Sequence, residues 1–406
     1  MTRVVVTGLG LVTPVGTGRP TFWTAVTEGR SGIATVRSFD TSAYPVHIGA
    51  EVDGFAPAAY VRAQDSASMG RASQLAIAAA RLALGDAGLD PSWSDPRKVG
   101  VSMGSTSGEP LYVEQYNDAK KAGRGESLPA QVYGKYPCHW IPAHIAAEFD
   151  LGGPCLMIPT ACAAGNYAIG YAFDCIRSGT AGIMLAGGSD AFSRIPYTGF
   201  ARLGAIAPER CQPFDKNRQG MVPGEGAAIL VLEKADAARA RGATIYAEVK
   251  GYGLSCDAHH MTAGHPEGDG AIRAMQAAIA GAGVSLDAVD YISAHGTGTP
   301  TNDRIESLAL HRLFGDRAKT LPMSSIKSML GHTMGAASAI EAAACSLALH
   351  TGVVPPTINF EEHDPECEVD CVPNEARKIH PRVVLNNAYA FGGNNACLCL
   401  ARWEAQ

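Results

Sequence analysis

A chain of 406 residues, 46% apolar and 18% charged, can bury a large core and is too long for one small domain. Its 33 Lys and Arg against 39 Asp and Glu leave a formal charge of −6 with no basic block, which argues against nucleic acid as a main partner. No apolar run reaches the roughly 18 residues of a membrane helix, glycine shows no period of three, and eleven irregularly spaced cysteines make no disulfide framework.

From Met1 to Gly10 the chain has one cation and a short apolar stretch. Gly8, Gly10 and Pro14 interrupt it, so it predicts a first strand and turn, not a signal peptide, in a soluble cytoplasmic protein. Ala79 to Leu89 predicts an Ala-rich helix with an Ala-Gly stop. An apolar strand from Val99 and a Gly, Ser and Thr loop to Gly108 follow. The segment from Glu109 to Trp140, with Lys120, Lys121, Arg124 and Glu126, predicts an insertion that caps the core or forms a partner surface. Thr160 to Gly170 is a small-residue turn feeding a helix that ends at Ser178-Gly179. A surface helix at Ala235 to Gly242 marks a boundary near residues 235–250.

The same order then repeats. Ala274 to Val284 predicts a helix with an Ala-Gly stop, and Val289 to Gly298 a strand and a Gly/Thr loop. Gly331 to Glu341 predicts a second small-residue turn and helix, ending at Gly352. The expected fold class is α/β, with two topologically similar halves at 1–245 and 246–406. Chance similarity of Ala-rich helices is the alternative; the matched order of three elements counts against it. The insertion has no counterpart in the second half.

Four motifs carry chemistry. Cys162 sits among small residues just before a helix, where the macrodipole favours a thiolate and a sharp turn exposes the side chain. His295 ends a strand and opens a loop whose Thr297 and Thr299 offer hydroxyls to something long and polar. His332 lies at the entry to a helix, a place that favours the neutral imidazole, five residues after Lys327. Phe391 precedes two glycines, and its amide could face an oxyanion. Each also has a plain structural reading: a buried cysteine, a capping histidine, a solvated lysine, a Gly-Gly turn. The pairs Cys367/Cys371 and Cys397/Cys399 lack the partners of a zinc site, and the latter alternate with leucines as in a terminal strand. His259, His260 and His265 suggest either a metal site or a loop lining a substrate tunnel.

Together the four motifs resemble the β-ketoacyl-acyl carrier protein synthases of the thiolase superfamily, in the branch with a Cys-His-His triad. The stretches Val4 to Pro14, Pro213 to Gly220, Gly224 to Gly226 and Asp257 to Thr262 extend the resemblance over nearly the whole chain, in order. It implies a thiolase-like fold of two duplicated α/β halves packed in layers. It implies that Cys162 holds an acyl group, with its own amide and that of Phe391 as the oxyanion hole and Phe391 as a gate. His295 and His332 bind the thioester carbonyl of a malonyl-type extender. Lys327, Glu341, Asp303 and Glu306 match supporting polar positions, and Thr297 and Thr299 match contacts to a phosphopantetheine arm. The implied partners are an acyl carrier protein and a second subunit, identical or paralogous; no metal or organic cofactor is required. Thiolases carry a second cysteine where Phe391 stands, starter-type synthases carry Asn where His332 stands, and chain-length factors lack the nucleophile. Three departures stand out. Asn394 replaces a usual Thr, Arg62 to Arg71 has few cations for carrier docking, and Gly104 to Glu109 replaces an aliphatic-rich loop. The last motivates a polyketide or polyene pathway.

Overall fold

The opening apolar run forms strand β1 (Val4–Thr13), buried along its whole length. A computed structural model describes residues 2–124, 132 and 134–404. After β1 come α1 (Arg71–Asp86), β2 (Val99–Gly104), α2 (Pro110–Lys121), β3 (Cys155–Ile158), α3 (Ala164–Ser178), β4 (Ile183–Asp190), α4 (Arg194–Arg202) and β5 (Gly226–Lys234). The helix expected at the boundary spans Ala235–Ala240. Then follow β6 (Ala247–Cys256), α5 (Asp269–Ala282), β7 (Tyr291–Ser293), α6 (Pro300–Phe314), β8 (Met323–Ser324), α7 (Ala337–Thr351), β9 (Val383–Tyr389) and β10 (Asn394–Ala401).

The strands run β8-β7-β9-β10-β6-β1-β5-β4-β2-β3. Read outward from the centre, both halves have one topology. β1, β5 and β4 are successively antiparallel, and β2 and β3 continue parallel. β6, β10 and β9 are likewise antiparallel, and β7 and β8 continue parallel. Antiparallel pairing of Val4–Val6 with Ala247–Val249 joins the halves.

Apolar burial sets the layers. Residues such as Leu75 and Ile77 of α1 pack with Ile229 and Val231 on one outer face. Ile169 of α3 and Ile340 of α7 pack with Leu9, Leu230 and Leu398, filling the middle. Met275 and Ile279 of α5 pack with Ile292, Leu385, Cys397 and Cys399 on the other side. Cys397 and Cys399 are thus core residues of a strand paired on both sides.

One expectation needs correction. Gly8 and Gly10 do not end the first strand. A Cβ on Gly10 would stand 1.8 Å from the Ala79 carbonyl oxygen, so the glycine lets α1 lie directly on β1. The insertion begins with a buried charged residue. Glu109 is buried and accepts the Ser73 and Ala72 N–H groups at 2.7 and 3.2 Å, capping α1 from a distance. The helix α2 that follows packs on α4, with Ser193 Oγ donating to Glu114 at 2.6 Å and Arg194 paired with Asp118. Glu126 lies outside the described residues. Among the described residues, no helix is long and apolar enough to cross a membrane.

Candidate active site

The turns feeding α3 and α7 are built alike. Thr160-Ala-Cys-Ala-Ala and Thr333-Met-Gly-Ala-Ala each carry one non-glycine residue in the left-handed region, Ala161 at φ 49° and Met334 at φ 54°. Such backbone is strained and persists only where surrounding structure holds it. Cys162 follows the first strained residue and Gly335 the second. A Cβ at Gly335 would strike the Ser105 backbone at 2.6 Å, so only one of the two elbows can present a side chain.

Cys162 is buried in a short 3-10 turn, Ala161–Ala163, that leads into α3. The sequence argument for a resting thiolate is overturned here. Burial, opposed chiefly by the Lys327 charge, pushes the thiol from its ordinary 9 up to about 12. That rise is worth roughly 4 kcal/mol against ionisation. A helix terminus returns at most about 2 kcal/mol. The thiol is therefore neutral at rest.

His295 and His332 come from different segments and meet with ring centroids 5.5 Å apart, nearly perpendicular at 83°. His295 follows β7, and its N–H and that of Gly296 donate to the two oxygens of Glu306 at 2.9 and 2.8 Å. Its carbonyl accepts from Lys327 Nζ at 2.7 Å. Lys327 is 1% exposed and pairs with Glu341, 2% exposed, so this lysine belongs to a buried polar network and is not solvated. His332 N donates to the Val222 carbonyl at 2.6 Å. Asp303 accepts the N–H groups of Phe214 and Gly298, fixing the loop after His295. Burial raises the carboxyls of Glu306 and Glu341; the Gly296 and His295 N–H groups oppose it at Glu306, and the Lys327 charge opposes it at Glu341.

Burial, with Lys327 nearby, holds both imidazoles well below their ordinary 6.5. Both rings are neutral and able to donate one N–H or take one proton. In a nitrogen-15-labelled sample, the His295 and His332 signals are expected to keep neutral-form shifts down to about pH 6. A midpoint near 6.5 for either ring would contradict this assignment.

Cys162, His295 and His332 line one cavity of about 200 Å³. Thr297 and Thr299 line it as well, their hydroxyls 2.9 Å apart. Phe391 stands at its wall, 39% exposed, its ring tilted 43° to that of Phe200 of α4 with centroids 5.8 Å apart. His265 also lines the cavity, which favours the tunnel-loop reading of the histidines. Among the described residues, no group of three His, Cys, Asp or Glu side chains could hold a metal ion. Lys327, Glu341, Asp303 and Glu306 sit behind the cavity wall.

Sequence reasoning missed three residues. Asp190, at the end of β4, is fully buried and ties both halves together. It accepts from Ser105 Oγ, from the Thr106 and Ser107 N–H groups, and from Gly335 N at 2.7 Å. Asp257 accepts from Asn395 Nδ2 at 2.9 Å and from His265 N, tying the tunnel loop to the segment after Phe391. Tyr389 lines the cavity beside His295. Its place two residues before Phe391 was the available signal.

Two duplicated α/β halves around a central helix pair, with one cysteine elbow and two histidines in one cavity, define an enzyme of the thiolase-like fold. The chain matches the β-ketoacyl synthase N-terminal domain over residues 1–238 and the C-terminal domain over residues 246–361. It belongs to the β-ketoacyl synthase family, a class of acyltransferases. It is 40% identical over 408 residues to a 3-oxoacyl-[acyl-carrier-protein] synthase 2 of Coxiella burnetii, covering 98% of each chain. A solved ishigamide ketosynthase/chain length factor superposes with a TM-score of 0.96 at 44% identity, covering 99% of this chain and 100% of that one. A type II polyketide synthase ketosynthase, solved in complex with its acyl-carrier protein and bound to the hexaketide, superposes at 0.90 with 32% identity, covering 99% and 100%.

Proposed function

We propose that this protein catalyses decarboxylative Claisen condensation between an acyl group on Cys162 and a malonyl-type thioester of an acyl carrier protein. The carrying observation is one cavity that unites a buried cysteine elbow with two neutral histidines. In the first half-reaction the Cys162 sulfur attacks an acyl thioester, its proton passes by way of a neutral imidazole to the departing carrier sulfur, and the carrier leaves as a thiol. The amides of Cys162 and Phe391 stabilise the oxyanion. In the second, His295 and His332 donate to the extender's thioester carbonyl. The carbon–carboxylate bond breaks, its electron pair enters the enolate, and carbon dioxide leaves. The α-carbon then attacks the acyl carbonyl. A carbon–carbon bond forms, the carbon–sulfur bond breaks with its electron pair going to the sulfur, and the Cys162 thiolate takes up one proton from solvent. Splitting the reaction this way is nucleophilic catalysis, and one cavity replaces a bimolecular encounter.

Lys327 with Glu341, and Glu306 with Asp303, position the histidines. Thr297 and Thr299 receive the phosphopantetheine arm, and Phe391 gates it. The partners are an acyl carrier protein and a second subunit, identical or paralogous. The likeness to a ketosynthase/chain length factor assembly supports the paralogous pair, and the hydroxyl-bearing loop Ser105 to Ser107 supports polyketide or polyene chains. We place the division between the cysteine-bearing and histidine-bearing halves at 245/246, and the protein in the cytoplasm.

Supplied with acyl and carbon-13-carboxyl malonyl carrier thioesters, the enzyme is expected to release labelled carbon dioxide one-for-one with a 3-oxoacyl product. Acyl transfer or cyclisation without carbon dioxide release would favour a non-elongating reaction.

A further inference from the structure

Tyr389 ends β9 and lines the cavity that holds Cys162, His295 and His332. Its ring meets the His295 imidazole edge-on, with centroids 5.6 Å apart and planes at 64°. Its hydroxyl is shielded from solvent and has no hydrogen-bond partner among the described residues. A buried hydroxyl left unpaired is costly, and phenylalanine would fill the same ring space without that cost. The unpaired group therefore calls for a partner that arrives with the substrate.

The surroundings indicate which partner. Burial, then the nearby Glu306 charge, hold the phenol well above its ordinary 10, so it remains a donor. Both neighbouring carboxylates are occupied: Glu306 by the His295 and Gly296 N–H groups, and Asp257 by Asn395 and the His265 N–H. Neither competes for the phenolic proton through a hydrogen bond. Under the proposed function, His295 holds the extender's thioester carbonyl. The group nearest that carbonyl which an ordinary acyl thioester lacks is the free carboxylate.

We propose that Tyr389 is a specificity-determining residue whose hydroxyl donates a hydrogen bond to the malonyl carboxylate, separating the extender from acyl thioesters without one. This rests on the condensing reaction proposed above. The contact exists while the carboxylate is attached and is lost as carbon dioxide departs. It therefore contributes to extender binding and not to the rate of carbon–carbon cleavage. The Glu306 and Asp257 charges act in the opposite sense, favouring departure of the anion as a neutral molecule.

The isosteric Tyr389→Phe variant tests this. The KM for malonyl carrier thioester is expected to rise about tenfold, with kcat unchanged or higher. Acylation of Cys162, and inhibition by acetyl carrier thioester competing in the extender position, are expected to match the unaltered enzyme. An unchanged malonyl KM would overturn the proposal, as would equal weakening of malonyl and acetyl binding. A fall in kcat alone would also overturn it, by making Tyr389 a positioning residue for His295. If the unaltered enzyme releases no carbon dioxide from malonyl carrier, the condensing reaction itself fails. If it does and only the Tyr389→Phe result disagrees, the error lies with Tyr389.

Discussion

Cys162→Ala is expected to lower condensation by at least about a thousandfold while malonyl decarboxylation stays within about tenfold of the unaltered enzyme. The two activities separate because they use different groups. Condensation needs the sulfur to hold an acyl chain. Enolate formation needs only donors aimed at the extender's carbonyl, and His295 and His332 remain when the sulfur is gone. Alanine fits the site: the turn already contains Ala161, Ala163 and Ala164, and the strained residue precedes the substituted one. Carbon dioxide release and 3-oxoacyl formation, followed in one reaction mixture, give both rates. Loss of both with an intact fold would mean that the cysteine and the histidines do not act at separate steps.

Lys327→Met is expected to destabilise the protein by about 3–5 kcal/mol. Lys327 and Glu341 are both almost wholly buried, and among the described residues Lys327 is the one hydrogen-bond partner of the Glu341 carboxylate, whose second oxygen has none. Without the ammonium, a carboxylate remains in a low-dielectric interior or must take up a proton. Replacing both partners, Lys327→Met with Glu341→Leu, is expected to restore most of the stability, because two apolar residues leave no buried charge. It should not restore decarboxylation, because the His295 carbonyl still lacks the donor that held it at 2.7 Å. Melting temperatures and carbon dioxide release for the three proteins separate these effects. A single variant that melts like the unaltered protein would show that the pair carries no such burden.

The legible parts of this molecule were those written in local chemistry. Small-residue turns at Thr160 to Gly165 and Thr333 to Ser338, each feeding a helix that stops at glycine, announced both elbows and the duplication. His295, Thr297 and Thr299 were legible because a strand end and a Gly/Thr loop form one local signal. Other features depend on what the chain places together from afar. The Cys162 thiol reads as activated from its helix alone, yet burial reverses that, and burial is a property of the packed layers. Gly8 and Gly10 read as strand breakers because the sequence does not show α1 lying on them. Asp190 and Glu109 are single carboxylates without a motif, and their partners lie up to 145 residues away. Lys327 could be read as solvated or buried until Glu341 was placed opposite it.

Peptide mapping of the protein after exposure to an acyl carrier thioester tests the role of Cys162 most directly. The expected result is one acyl group in thioester linkage on Cys162, released when malonyl carrier thioester is added and recovered in a product longer by two carbons. An acyl group on the exposed Cys155 or Cys256 instead, or one on Cys162 that malonyl carrier fails to discharge, would contradict it.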